Sequence, residues 1–526
     1  MSPNSCVLGD KFIPFNSKNM ITSTLKNDIP AGIVVFLVAL PLCLGVALAS
    51  GAPLFSGVIS GIVGGIVVGI LSKSQTSVSG PAAGLAAVVL ASITQLGSFD
   101  VFLTAVLLAG VLQLGFGLLK GGFVASYVPS NVIKGLLASI GILLILKQIP
   151  HAIGYDKDAE GDFAFFQPDG ENTFSELYQM LDFINLGAVV ISIVSLFILI
   201  GWDKTPLKKF KFFPSSLFVV LLGVVLNELF CAYVPGLCIE QSHLVNLPRI
   251  DTSDLASYLH FPKLSHLSDY RVYTTAVTIA IVATLETLLN IEAVDKLDPH
   301  KRESPPDSEL VAQGIGNMLA GLLGGIPITS VIVRSSVNIN AGNKTKLSAV
   351  FHGIFMLASV LVLSPVLNKI PLASLAAILL MTGYKLAKVS LFRSMYQKGW
   401  SQFIPFMATI LAIVFTDLLI GVLIGLAISI FYLLRSNYEN PFTQTLERTP
   451  AGKVIKFELS EEVSFLNKAA IKSTLWRLPK FSKVVIDATH SKYIDPDVLE
   501  ILDDYQTTFA PENNITLSIS GLPLKH

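Results

Sequence analysis

Hydrophobic and polar positions along this chain fall into long blocks, not the short runs of a water-soluble domain. Fourteen apolar segments stand out, at roughly 30–49, 56–72, 81–96, 101–119, 132–149, 185–201, 215–233, 273–292, 309–323, 327–339, 348–366, 371–388, 403–418 and 419–437. Stretches such as Ala31 to Ala49 and Leu103 to Leu119 have the length that a hydrocarbon core of about 30 Å requires of a helix. Glycines recur inside them (Gly57, Gly61, Gly64, Gly65, Gly69), which lets helix backbones approach closely. Two segments break the rule. Gly80 to Ile93 and Pro327 to Ile339 are too short to span, and each follows a Gly/Pro and small-hydroxyl run: Ser79-Gly80-Pro81-Ala82-Ala83-Gly84, and Gly324-Gly325-Ile326-Pro327-Ile328-Thr329-Ser330. Proline fits the first turn of a helix, where its missing N–H has no partner to lose. These are therefore expected to be half-helices, entered from extended chain, at matching places in two halves of a membrane protein.

The polar blocks orient the segments. Lys204, Lys208, Lys209 and Lys211 follow the sixth; Lys296, Lys301 and Arg302 follow the eighth; Lys344 and Lys346 follow the tenth. Lys385, Lys388, Arg393 and Lys398 lie at or beyond the end of the twelfth. All are even-numbered exits, so one side collects the cations and is expected to be cytoplasmic, with both termini on it. The loop after the fifth segment is the reverse, with Asp156, Asp158, Glu160, Asp162, Asp169, Glu171 and Glu176. Two blocks of seven spans then run in opposite senses, as an inverted repeat requires. The expected architecture is a polytopic α-helical membrane protein with a seven-plus-seven inverted repeat over 30–437, after a cytoplasmic segment 1–29. A small α/β module follows from about 441 to 526. In it Lys453 to Leu459, Lys483 to Ala488 and Ile515 to Ser520 read as strands, and Asp497 to Tyr505 as a helix.

Composition agrees: 52% of residues are apolar and 14% charged, with a mean hydropathy of +0.65, against about 25% charged in soluble domains. The formal net charge of zero gives no sign of a nucleic-acid partner. The first thirty residues, with Asn4, Asp10, Lys11, Asn16 and Lys18, lack a cleavable-signal pattern, so the first span is expected to direct insertion. Cys6 and Cys43 are expected to be unpaired. Cys231 and Cys238 bracket Pro235-Gly236 at the end of a span; they are either a small-loop disulfide in an oxidising compartment or two free thiols.

Two opposed helix N-termini would each present unpaired N–H groups and about half a positive charge, a site for a small anion. The residues expected at it are Gly80, Pro81, Ala82 and Ala83 from one segment and Thr329, Ser330, Val331 and Ile332 from the other. Arg334 lies one turn deeper, and its side chain leans back towards the helix start. A cation in mid-segment is costly enough to imply a functional partner. Glu286, with Asn290 one turn on, is the second intramembrane group. From the residues alone it is expected to be a proton site or a structural partner of Arg334. No nucleophile–base constellation, metal spacing or phosphate loop argues for an enzyme, and no cofactor is expected.

Val78-Ser79-Gly80-Pro81-Ala82-Ala83-Gly84, Gln313-Gly314-Ile315-Gly316-Asn317 and Val333-Arg334-Ser335-Ser336-Val337-Asn338, the last leading into Ala341-Gly342 and Thr345, resemble the SulP anion permeases. Members carry a C-terminal STAS domain, as the order of elements here suggests. The resemblance implies two intertwined repeats forming core and gate, a homodimer in the cell (inner) membrane, and elevator-type alternating access. It places Glu286 where bicarbonate permeases hold sodium with an acidic residue; the implied set here is Glu286, Asn290, Ser330 and Ile332, with Asn290 in place of the usual hydroxyl. Sulfate-carrying relatives tend to have Pro-Gln where this chain has Pro41-Leu42, so it looks closer to the bicarbonate-type branch. Ile494-Asp495 is followed by Pro496-Asp497 and not by the serine of regulatory STAS switches, which argues against phosphoswitching there. The expected function is secondary active transport of small inorganic anions, bicarbonate favoured, coupled to Na+ or H+. The alternatives are a sulfate or dicarboxylate proton symporter and an anion channel or voltage-responsive protein on the same fold.

Overall fold

A computed structural model describes residues 17–81, 83–156, 165, 172–202, 214–245, 259–359, 367–439, 441–449 and 452–522. All fourteen apolar segments contain a helix. In the first half these are α1 (Ser17–Ala49), α2 (Leu54–Val63), α3 (Ala86–Leu96), α4 (Phe99–Leu118), α5 (Ser130–Ile153), α6 (Leu186–Gly201) and α7 (Ser215–Tyr233). In the second they are α8 (Tyr270–Leu297), α9 (Pro306–Leu323), α10 (Ile332–Asn340), α11 (Leu347–Ala358), α12 (Leu372–Leu386), α13 (Trp400–Phe415) and α14 (Leu418–Glu439). Among the described residues eight helices are each long and apolar enough to cross a bilayer: α1, α2 with its continuation to Leu71, α4, α5, α7, α8, α12 with its continuation to Gln397, and α14. A ninth span results if α6 is joined to the short helix before it, bent from it by 118°.

The halves pack as counterparts. Raising each helix number by seven, cyclically, turns one set of contacts into another. Helix α1 packs on α11 as α8 packs on α4; α2 packs on α11 as α9 packs on α4; and α5 packs on α13 as α12 packs on α6. The pair α5–α12 maps onto itself. So does a two-stranded antiparallel ladder, β1 (Ser79–Pro81) with β2 (Ile328–Ser330), in which Gly80 faces Thr329. Contacts of this kind mark a pseudo-twofold arrangement with the ladder at its centre.

The ladder corrects the expectation of helix tips. Pro81 ends a strand and Pro327 precedes one, instead of opening helices; a 3-10 turn starts at Ala83 and α10 at Ile332. Pairing is possible because a three-residue strand at the end of its segment leaves the N–H that proline lacks outside the ladder. A second unexpected feature is a π-helical stretch, Gly64–Val68, that continues α2 beneath β1. Cys231 and Cys238 form a disulfide.

The chain divides into two compact units, Met1–Leu426 and Ala427–His526, so the division falls inside α14. The second carries a four-stranded sheet ordered β3 (Phe442–Thr449), β4 (Gly452–Leu459), β5 (Lys483–Asp487), β6 (Thr516–Ser520), antiparallel at the first pair and parallel thereafter. Phe457, Val484, Ile486, Ile501, Leu502 and Tyr505 are in its buried core. Asp495 caps the helix Pro496–Asp504, its side chain accepting from the Asp497 N–H.

Candidate functional site

The β1–β2 crossing is held by polar side chains from three helices. On α9, Gln313 and Asn317 are one turn apart on the same face. Gln313 Nε2 donates to Ser79 Oγ at 2.6 Å and to Glu309 Oε1 at 3.0 Å. Asn317 closes both backbone groups of Ile328: its Nδ2 donates to the Ile328 carbonyl at 3.0 Å and its Oδ1 accepts the Ile328 N–H at 2.6 Å. From α10, Ser335 Oγ accepts the Val78 N–H at 2.9 Å and Asn338 Nδ2 donates to the Thr76 carbonyl at 3.0 Å. From α8, Asn290 Nδ2 donates to the Ser330 carbonyl at 2.5 Å. Strands this short have too few ladder bonds to hold themselves; side chains complete the pairing that buried backbone groups require.

Against this frame lie two buried ionisable groups. Arg334, on the first turn of α10, is 1% exposed. A Cβ on Gly80 would fall within 2.0 Å of its Nη1, so only glycine admits the guanidinium to this face of β1. Its Nη2 donates to the Pro81 carbonyl at 3.4 Å and the Cys43 thiol lies close to the guanidinium, whereas Nε and Nη1 have no acceptor among the described residues. The Cys43 thiol of α1 and His352 of α11 are also buried within its electrostatic reach. Glu286, on α8, is 6% exposed, and Gly84 leaves room for its carboxylate: a Cβ there would lie 3.0 Å from Oε1. Among the described residues Glu286 Oε2 and Asn290 Oδ1 are both buried without a donor.

The arrangement brings together most of the residues singled out from sequence. Gly80, Pro81, Thr329 and Ser330 are on the crossing strands, Ala83 opens the 3-10 turn into α3, Val331 is the N-cap of α10 and Ile332 its first residue. Ala82 lies outside the described residues. The first bond within α10 runs from the Ser335 N–H to the Val331 carbonyl, so the amides of Ile332, Val333 and Arg334 precede the helical ladder. Together with the guanidinium they form a donor-rich face suited to an anion. Glu286 Oε2 and Asn290 Oδ1 are hard oxygens that fit a small cation, and the carboxylate equally fits a proton. Among the described residues no group of three His, Cys, Asp or Glu side chains gathers as a transition-metal site. The Ser330 carbonyl already accepts from Asn290. Sequence reasoning missed Cys43, His352 and the bracing roles of Gln313 and Asn317. A pair of amides one turn apart in an apolar helix is itself a signal of interhelical bonding.

Comparison with known proteins agrees with this picture. The family model for the sulfate permease family matches residues 25–431. A putative sulfate transporter, YvdB, of Bacillus subtilis is 31% identical over 410 residues, 78% of this chain and 74% of that protein. The bicarbonate transporter BicA of a Picosynechococcus strain is 26% identical over 413 residues, 77% of this chain and 69% of its own. Among solved structures, that of SLC26A9 superposes with a TM-score of 0.65 at 15% identity, covering 97% of this chain and 87% of that one. Members of the matched family are transporters and not enzymes. By the extent of the family match and the identity to its relatives, this chain is a multi-pass membrane protein of the sulfate permease family.

Proposed function

We propose that this protein is a secondary active transporter of small inorganic anions, with bicarbonate favoured and Na+ or H+ as the coupling ion. The observation that carries the reading is the buried guanidinium of Arg334, whose Nε and Nη1 have no acceptor among the described residues, at the centre of the pseudo-twofold frame. A buried cation without its counter-charge is costly; an anion at the β1–β2 crossing supplies it. The residues assigned to that anion site are Gly80, Pro81, Ala82, Ala83, Thr329, Ser330, Val331 and Ile332 with Arg334. The coupling ion is assigned to Glu286 and Asn290, beside Ser330 and Ile332. A carboxylate that gains Na+ or a proton as the anion binds keeps the buried charge balanced, which links the two uphill and downhill steps.

One cation and an apolar α1 wall (Leu40, Leu42 and Cys43, all buried) suit a monovalent anion better than a dianion. Sulfate is the second reading, favoured by the name of the relative from Bacillus subtilis. Elevator-type alternating access of a core against a gate, a homodimer, residence in the cell membrane and cytoplasmic termini complete the proposal, with residues 441–526 as a STAS domain. The Cys231–Cys238 disulfide supports that orientation: it follows α7, an odd-numbered exit, on the side opposite the lysine-rich ends, where an oxidising compartment is required.

Proteoliposome uptake of labelled bicarbonate and sulfate, each with and without Na+ and proton gradients, tests the proposal. Saturable bicarbonate uptake driven by one gradient, weakened about tenfold or more in affinity by Arg334→Ala, is expected. Uptake indifferent to both gradients, or unaltered affinity in that variant, rejects it.

A further inference from the structure

Away from the β1–β2 crossing, the ends of α5, α8 and α12, with the segment that follows α12, border an open cleft of about 580 Å³. Its lining includes Lys134 of α5, Lys296 at the end of α8, Lys301 just beyond, Lys385 of α12 and Lys388, and among the described residues no acidic side chain. Lys398 faces Lys134 from outside the lining. Lys385 already has an interaction partner of its own, and two more of the lysines find relief at the rim. Lys296 pairs with Glu292 at 3.0 Å, and Lys301 donates to the Lys296 carbonyl at 2.9 Å. The tendency of lysines to collect on one side of a membrane explains which end of each helix carries them. It does not explain why cations from three helices converge on one concave space, where like charges repel.

We infer that this cavity is a second anion site, distinct from the one at Arg334, that takes a phosphate-bearing ligand with two or more negative charges. Ammonium groups on flexible stems hold phosphate as point charges and adapt to several phosphate geometries. A monovalent ion would neutralise too little of the cluster, whereas a pyrophosphate, nucleotide or phosphomonoester headgroup reaches several lysines at once. Such a ligand touches α5, α8 and α12 together, so it ties the helix that carries Glu286 to two others. Resting on the transport reading above, its binding slows movement of α8 relative to α5 and α12, and so lowers uptake.

The purified full-length protein, in nanodiscs of neutral lipid at about 0.15 M salt, is titrated with inorganic pyrophosphate. Saturable binding is expected, weakened about tenfold or more by the pair Lys134→Gln and Lys388→Gln. It is retained when both lysines become arginine, and unchanged in Arg334→Ala. Repeating the titration in nanodiscs containing phosphatidic acid separates the sources. Competition there assigns the site to a lipid headgroup, and equal binding assigns it to a soluble phosphate compound; both agree with the inference. It is overturned by an absence of saturation, by equal binding in the glutamine pair, or by loss of pyrophosphate binding in Arg334→Ala. Because binding is read without transport, failure of uptake in the wild-type protein leaves this result standing, and the two readings fail separately.

Discussion

Gly80 and Arg334 occupy touching positions: the only residue that fits beneath the guanidinium is one with no side chain, since an added Cβ would fall 2.0 Å from Nη1. Contact is with the far end of a flexible side chain, so Gly80→Ala displaces the guanidinium without displacing the strand. The variant is expected to keep its thermal stability within about 1 kcal/mol and to lose about tenfold in anion affinity. Gly115→Ala, where an added Cβ meets nothing within 4 Å, is the control. Concentration-dependent uptake by both variants decides the matter, and equal affinities would detach Arg334 from the anion.

Glu286→Gln removes a charge while keeping the shape beside Gly84 and the neighbouring Asn290. Since Asn290 donates to the Ser330 carbonyl and not through the carboxylate, the crossing stays braced. Uptake in the variant should lose its dependence on the driving cation gradient, with the folded fraction on size-exclusion chromatography unchanged. Gradient-dependent uptake at the wild-type rate would remove Glu286 from the coupling step.

Asn317→Leu leaves the Ile328 N–H and carbonyl unpaired in the interior and strips Gln113 Oε1 of the donor it accepts from at 2.8 Å. Each buried group left without a partner costs about 1–3 kcal/mol. The melting temperature should fall by several degrees, and Asn317→Asp, which keeps the acceptor for the Ile328 N–H, should fall less. A melting curve indistinguishable from wild type would show that β2 is held by other means.

Just beyond α5, Asp156 accepts from two imidazoles, Nδ1 of His151 in the last turn of that helix at 2.5 Å and His243 Nδ1 at 2.6 Å, joining the end of α5 to the turn Gln241–His243. The hydrogen bond to Asp156 raises the pKa of His243 against the opposing effect of burial. Burial pushes the Asp156 carboxyl up, but the hydrogen bonds from His151 and His243 outweigh it and hold the group below its ordinary value. A raised histidine binds its proton more tightly when folded, so its contribution is complete below about pH 6.5 and disappears as pH climbs through the raised value. The depressed Asp156 contributes above its ordinary range, and that contribution is lost as pH falls through its lowered value. Thermal stability is therefore expected to decline from pH 6 to pH 8 in the wild type and to be flatter in His243→Gln; parallel profiles would exclude the linkage.

The long elements were legible because burial in hydrocarbon demands an unbroken apolar run, and all fourteen such runs hold helix. The strands were not. Ser79–Pro81 and Ile328–Ser330 are three residues each, too short for a period-two pattern, and their partners are about 250 residues apart along the chain. Proline next to glycine reads equally as the first turn of a helix and as the end of a strand, and only the partner strand decides. Arg334 and Glu286 could be singled out because charge in an apolar run is conspicuous, whereas Cys43 and His352 look like ordinary apolar-segment residues until the packing of α1 and α11 sets them near the guanidinium. Gln313 and Asn317 were visible as a motif but not as braces, since what they hold lies on other segments.

Counting five residues onward from the facing pair Gly80 and Thr329 reaches Leu85 in one half and Arg334 in the other. The scaffold is thus duplicated but its charge is not. An anion on the central axis would meet aliphatic wall on one flank and a fixed cation on the other. The two flanks are consequently unequal in charge, and a frame of matched halves acquires its electrostatic asymmetry from a single side chain.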